Sequence, residues 1–97
     1  MRVEVDIGAG GALSMLAEQR LRLVLTRFAA SVIGAALRTA ETGEGRLVLR
    51  ARVRLVGGEV VALAAEDWAS EAATLHFIDR LGRAVGRRLT ATGGRHG

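Results

Sequence analysis

The chain has no cysteine and no lysine. The first absence excludes a disulfide framework, a thiolate nucleophile and a zinc-thiolate site, so the fold must hold by packing alone and suits a reducing cytoplasm. The second leaves arginine to carry all 14 basic side-chain charges. Arginine favours planar, bidentate contacts to phosphate and stacking on bases, although a codon bias towards G and C would produce the same substitution. Long apolar runs are missing too. The opening MRVEVDIGAGG alternates apolar and charged residues, which is not the continuous run of a signal peptide, and no later stretch reaches the ~18 apolar residues of a membrane span. A cytoplasmic protein with no membrane partner is the expectation.

What is present bounds the answer further. With 97 residues, 49% of them hydrophobic, the chain can bury one modest core, which predicts a single domain over residues 1–90 and a small, polar, flexible tail at 91–97. The net charge of +4 and a pI near 11.4 suit a nucleic-acid partner. So small an excess also allows the arginines to pair with the ten acids on a solvated surface.

The pattern along the chain alternates between two periods. Val3, Val5 and Ile7 against Arg2, Glu4 and Asp6 predict a half-buried strand. After Gly8, Gly10 and Gly11, the helical spacing of Ala17, Leu21, Val24, Leu25 and Phe28 predicts a helix capped by Ser14. Val32 to Glu41 returns to period two, with Ile33, Ala35, Leu37 and Thr39 on one side and a turn at 42 to 45. Arg46 to Val56 is the clearest strand, with Leu47, Leu49, Ala51, Val53 and Leu55 facing one way and mostly arginine facing the other. Gly57-Gly58 predicts a two-residue hairpin turn into a fourth strand from Glu59 to Ala65. Glu66-Asp67 then opens a final helix whose expected buried stripe is Trp68, Ala72, Leu75, Ile78, Leu81, Val85 and Leu89. The expected fold is α+β, a β-α-β-β-β-α two-layer sandwich with both helices on one face of a four-stranded sheet and the other face open.

Signals for catalysis are poor. The histidines, His76 and His96, have no matching partners, and no spacing joins two carboxylates to a histidine, so no catalytic residue, metal ligand or cofactor is expected. Gly8-Ala9-Gly10-Gly11 lies between a strand and a helix but lacks the spacing of a phosphate-binding loop, and reads as a tight turn.

The arginines are better organised. Arg80, Arg83 and Arg87 stand at i, i+3 and i+7 on the last helix, with His76 one turn back and Arg88 beside them, and only Asp79 is close in sequence to offset them. Such a row can follow a phosphate backbone, which would relieve its self-repulsion; the competing reading is a solvated face. A second set, Arg46, Arg50, Arg52 and Arg54, lies outward on the third strand, where Glu4 and Asp6 are expected to absorb part of the charge. That face also carries Val48, Val60, Ala62 and Ala64 and equally suits a homodimer or partner contact. Trp68 is expected to anchor the last helix to the sheet.

The order of elements, the Gly57-Gly58-Glu59-Val60 hairpin with Ala62 and Ala64, and the run Ile78-Asp79-Arg80-Leu81 closing with Arg83, Arg87 and Leu89 together resemble the ribosome hibernation promoting factor and ribosome-associated inhibitor family, from Arg2 to Leu89. That resemblance implies a double-stranded-RNA-binding-like fold and a translation inhibitor, not an enzyme, that binds small-subunit ribosomal RNA near the decoding region. It carries Arg80, Arg83 and Arg87 over as RNA contacts and Arg20 as one on the first helix, with Arg88 and Arg27 adding charge. Leu23 and Thr26 depart from the family, standing where it tends to place a basic residue. The last helix also needs a one-residue insertion after Asp67, and Trp68 only approximates the family's aromatic. The alternative function is a self-association or protein-interaction module that uses the open sheet face.

Overall fold

Alternation of side chains builds most of the sheet. In the computed structural model, which describes residues 1–8 and 11–93, strand β1 (Arg2–Ile7) turns Val3, Val5 and Ile7 towards the core, and β3 (Arg46–Leu55) buries Leu47, Leu49, Ala51, Val53 and Leu55. With β2 (Val32–Glu41) and β4 (Val60–Trp68) they form one sheet in the order β1-β2-β3-β4. Helix α1 (Gly11–Thr26) and a 3₁₀ turn at Ala29–Ser31 carry the chain back so that β2 lies parallel to β1, while β3 and β4 follow antiparallel. Helix α2 (Glu71–Gly93) completes the α+β sandwich. Ala17, Leu21 and Leu25 of α1 and Phe77, Ile78, Leu81 and Val85 of α2 join the inward side chains of the sheet in one core. The opposite sheet face is uncovered, with Arg38, Arg50, Arg52, Arg54, Ala62 and Ala64 exposed. No helix among the described residues is long and apolar enough to cross a membrane.

Several local expectations are corrected. Helix α1 begins at Gly11, so Ser14 lies inside its first turn and is not the cap. Starting earlier lets Leu13 extend the i, i+4 series Ala17, Leu21, Leu25 onto the core. In β2 it is Val32, not Ile33, that is buried, because the register shifts between Val32 and Gly34 and leaves Ile33 as an extra outward residue, 48% exposed. The shift falls at a glycine for a reason: a Cβ on Gly34 would sit 3.0 Å from the carbonyl oxygen of Arg2 on β1. The hairpin between β3 and β4 spans Val56 to Glu59, longer than two residues, with Gly57 and Gly58 at φ 102° and 96°.

The largest correction lies before α2. Strand β4 continues through Glu66 and Asp67 to Trp68, which pairs with Arg46, so it uses nearly the whole length of β3. The helix starts five residues later than Glu66, capped by the Ser70 hydroxyl, which accepts the Ala73 N–H at 3.0 Å. Trp68 is therefore a strand residue on the open face, 65% exposed, and not a core anchor. The buried stripe of α2 turns with it: Ala73, Thr74 and Phe77 are buried, Ala72 is exposed, and Ile78, Leu81 and Val85 keep their expected places. Helix α2 also runs beyond Leu89 to Gly93; residues 94–97, with the rest of the expected tail and His96, lie outside the described residues, as do Ala9 and Gly10 of the glycine turn.

The two helices touch closely. A Cβ on Gly82 would meet Val24 Cβ at 3.0 Å, and one on Gly86 would meet the Phe28 ring tip at 3.1 Å. Val24 Cβ is fixed to the α1 backbone, whereas a ring tip can swing. In a free helix alanine is favoured over glycine by about 1 kcal/mol. Gly82→Ala is nevertheless expected to destabilise the protein by about 1–2 kcal/mol in urea titration, because overpacking outweighs propensity, while Gly86→Ala stays within about 1 kcal/mol of the parent. Equal effects would refute this packing.

Candidate nucleic-acid interface

The phase of α2 that buries Phe77, Ile78, Leu81 and Val85 sends Arg80, Arg83 and Arg87 to the opposite side, where all three are exposed. His76 is exposed one turn before them. Among the described residues none of these three arginines forms a salt bridge. Neighbours three and four apart on a helix lie about 5–6 Å from one another, so the row is continuous over two turns.

The other expected RNA-contacting arginines lie around this row and are already engaged. Arg20 of α1 donates two hydrogen bonds to Asp79 of α2, Nε to Oδ1 and Nη2 to Oδ2, each 2.9 Å. This fork-to-fork pair ties the helices together, so Arg20 serves as a clamp and is not a free cation. Arg88 lies on the far flank of α2, where Nη1 bonds Oε2 of Glu59 in the β3–β4 hairpin at 2.9 Å. Arg27 follows the end of α1 and stacks over Phe28 with its Cζ 5.2 Å from the ring centroid.

A groove of about 450 Å³ separates the helices on this side, with Arg27 on one wall, Arg83 and Asp79 on the other, and Gly82 and Gly86 at its base. The structure thus brings Arg27 and Arg83 to one feature although 56 positions separate them in the chain. Asp79 holds its proton less tightly than an ordinary carboxyl, first because Arg20 hydrogen-bonds its charged form, then because Arg20, Arg83 and His76 attract it, with burial opposing. The Arg20 guanidinium is pushed the other way by the same bond.

Sequence reading missed the Arg20–Asp79 clamp, since it assigned Asp79 to the arginine row on its own helix. It also missed the exposure of Trp68, whose ring lies 4.9 Å from Arg46 Cζ. A period-two reading continued from Ala62 and Ala64 through Glu66 would have placed Trp68 outward. Among the described residues, no group of three or more histidine or acidic side chains is arranged to hold a metal ion. No protein-family model matches the chain, and no curated protein matches it.

The clamp has a measurable pH signature. Because the Asp79 carboxyl is lowered in the folded state, its stabilisation is fully present above the unfolded value, about 3.9, and is lost as pH falls through the lowered folded value. Asp79→Asn is expected to flatten the acid limb of a plot of thermal midpoint against pH in that window. An unchanged acid limb would show that the bond contributes nothing in solution.

Proposed function

We propose that this protein is a non-catalytic, RNA-binding translation inhibitor of the ribosome hibernation type, occupying small-subunit ribosomal RNA near the decoding region through the α2 row. The observation that carries this reading is the exposure of Arg80, Arg83 and Arg87 in one line, with no salt bridge to any of them among the described residues. Like charges at this spacing repel within the free protein, and a polyanion converts that repulsion into attraction. Arg27 extends the charge across the groove to α1, and the clamp at Asp79 holds the two helices as one rigid platform. The fold is consistent with the resemblance read from the sequence. The alternative reading is a protein-interaction or self-association module on the open sheet face; two copies meeting there would bring the β3 arginines of both together, which disfavours its homodimer form.

Co-sedimentation with isolated small ribosomal subunits across a salt series tests this directly. Binding is expected at low salt and should fade steeply as salt rises. Changing Arg80, Arg83 and Arg87 together to Ala is expected to abolish association at moderate salt, to reduce the slope of log affinity against log salt by about 3, and to leave the circular dichroism spectrum unchanged. Association that survives the triple change would remove the α2 row from the site.

A further inference from the structure

The open sheet face carries a basic stripe that the helix-face reading does not use. Arg50, Arg52 and Arg54 occupy successive outward positions of β3 and are all exposed. Among the described residues none of them forms a salt bridge, because the acids of this face are committed elsewhere: Glu4 to Arg2 at 3.1 Å, Asp6 to Arg38 at 3.6 Å and Glu66 to Arg46 at 3.1 Å. Glu4 and Asp6 were expected to offset the β3 arginines, but β1 pairs with β2 and lies two strands away from β3. Register raises the local charge further, since Arg50 stands directly opposite Arg38 on β2, a like-charge pair that costs stability in the free protein.

The stripe is also accessible. Apart from Arg38 opposite Arg50 and Val60 opposite Arg54, its cross-strand neighbours are small, Gly34 and Ala36 on one side and Ala62 and Ala64 on the other. The guanidinium groups therefore stand above a low floor around Arg52, and a depression of about 450 Å³ opens beside Arg52 and Arg54, with Arg2 and Glu4 of β1 also lining it. At the far end of the stripe the exposed indole of Trp68 lies against Arg46.

We propose that this face binds a single strand of nucleic acid, with Arg50, Arg52 and Arg54 against successive phosphates and Trp68 as a stacking surface for an unpaired base. Alternate residues of a strand are about 6.6 Å apart, comparable with successive phosphates of an extended polynucleotide. The cations form a line along one strand, which suits one backbone rather than the two that border a duplex groove. An exposed aromatic ring can stack on a base only where the base face is free, as it is in a single strand. A second copy is a poorer occupant, because arginines outnumber carboxylates on the face and two such faces repel. This surface lies on the side of the sheet away from both helices, so it stands or falls independently of the α2 row.

Trp68 is the only tryptophan of the chain, which makes its emission a local reporter. Titration of the intact protein with a short oligouridine at low salt is expected to quench that emission saturably. Arg50→Gln, Arg52→Gln and Arg54→Gln together should weaken binding at least about tenfold and flatten the salt slope by about 2, at about 0.7 per phosphate. The same three positions changed to Lys should retain most of the affinity, and the Arg80, Arg83 and Arg87 alanine variant should quench like the parent. In fluorescence anisotropy with labelled oligouridine, Trp68→Ala should weaken binding about tenfold and Trp68→Phe less. The proposal is overturned by absence of quenching at low salt, by quenching that survives the glutamine changes in a folded variant, by equal competition from duplex RNA, or by an emission change that tracks dimer formation as the protein is concentrated.

Discussion

The alternation along β3 ties the two faces of this protein to one another. The register that buries Leu47, Leu49, Ala51, Val53 and Leu55 obliges Arg50, Arg52 and Arg54 to face outward. A slip of one residue would move arginines into the core and leucines into water, and burying an unpaired guanidinium is far costlier than exposing a leucine. Since β3 also sets the positions of β2 and β4, the placement of Arg38 opposite Arg50 and of Trp68 opposite Arg46 follows from the same constraint. The charged face is thus a by-product of the strongest folding signal in the chain.

On the other side of the sheet, packing and charge act together between the helices. Arg20 and Asp79 join α1 to α2 at the rim while Val24 and Phe28 close onto Gly82 and Gly86 below them. Exposed ion pairs contribute little on average, so the apolar contact carries most of the helix–helix attachment and the bidentate bond fixes its orientation.

Sequence patterning was a good guide wherever one physical signal dominated. The core faces of β1 and β3, the α1 stripe and the order of elements all follow from hydrophobic period alone, and the exposure of Arg80, Arg83 and Arg87 follows from their spacing opposite that stripe. Prediction failed where two signals competed. Glu66 and Asp67 carry the charge expected of a helix start, yet the free edge of β3 holds them in a strand and Ser70 provides the cap. That shift of boundary moved Trp68 from core to surface and exchanged Ala72 for Ala73 in the buried stripe. Ile33 was misplaced because a bulge is invisible to any strict period. The pairing of Arg20 with Asp79 spans 59 positions and depends on how two helices lie side by side, which no local pattern encodes.

The spacing between α1 and α2 has a further meaning for the groove they border. Its two walls carry Arg27 and Arg83, and the distance between those walls is set by the hydrogens that glycine offers at positions 82 and 86. Glycine here acts as a gauge: it offers no side chain to anything that enters the groove, but it determines how wide an entrant must be to reach both cations. The breadth of whatever fits between them is therefore written in two residues that carry no functional group at all.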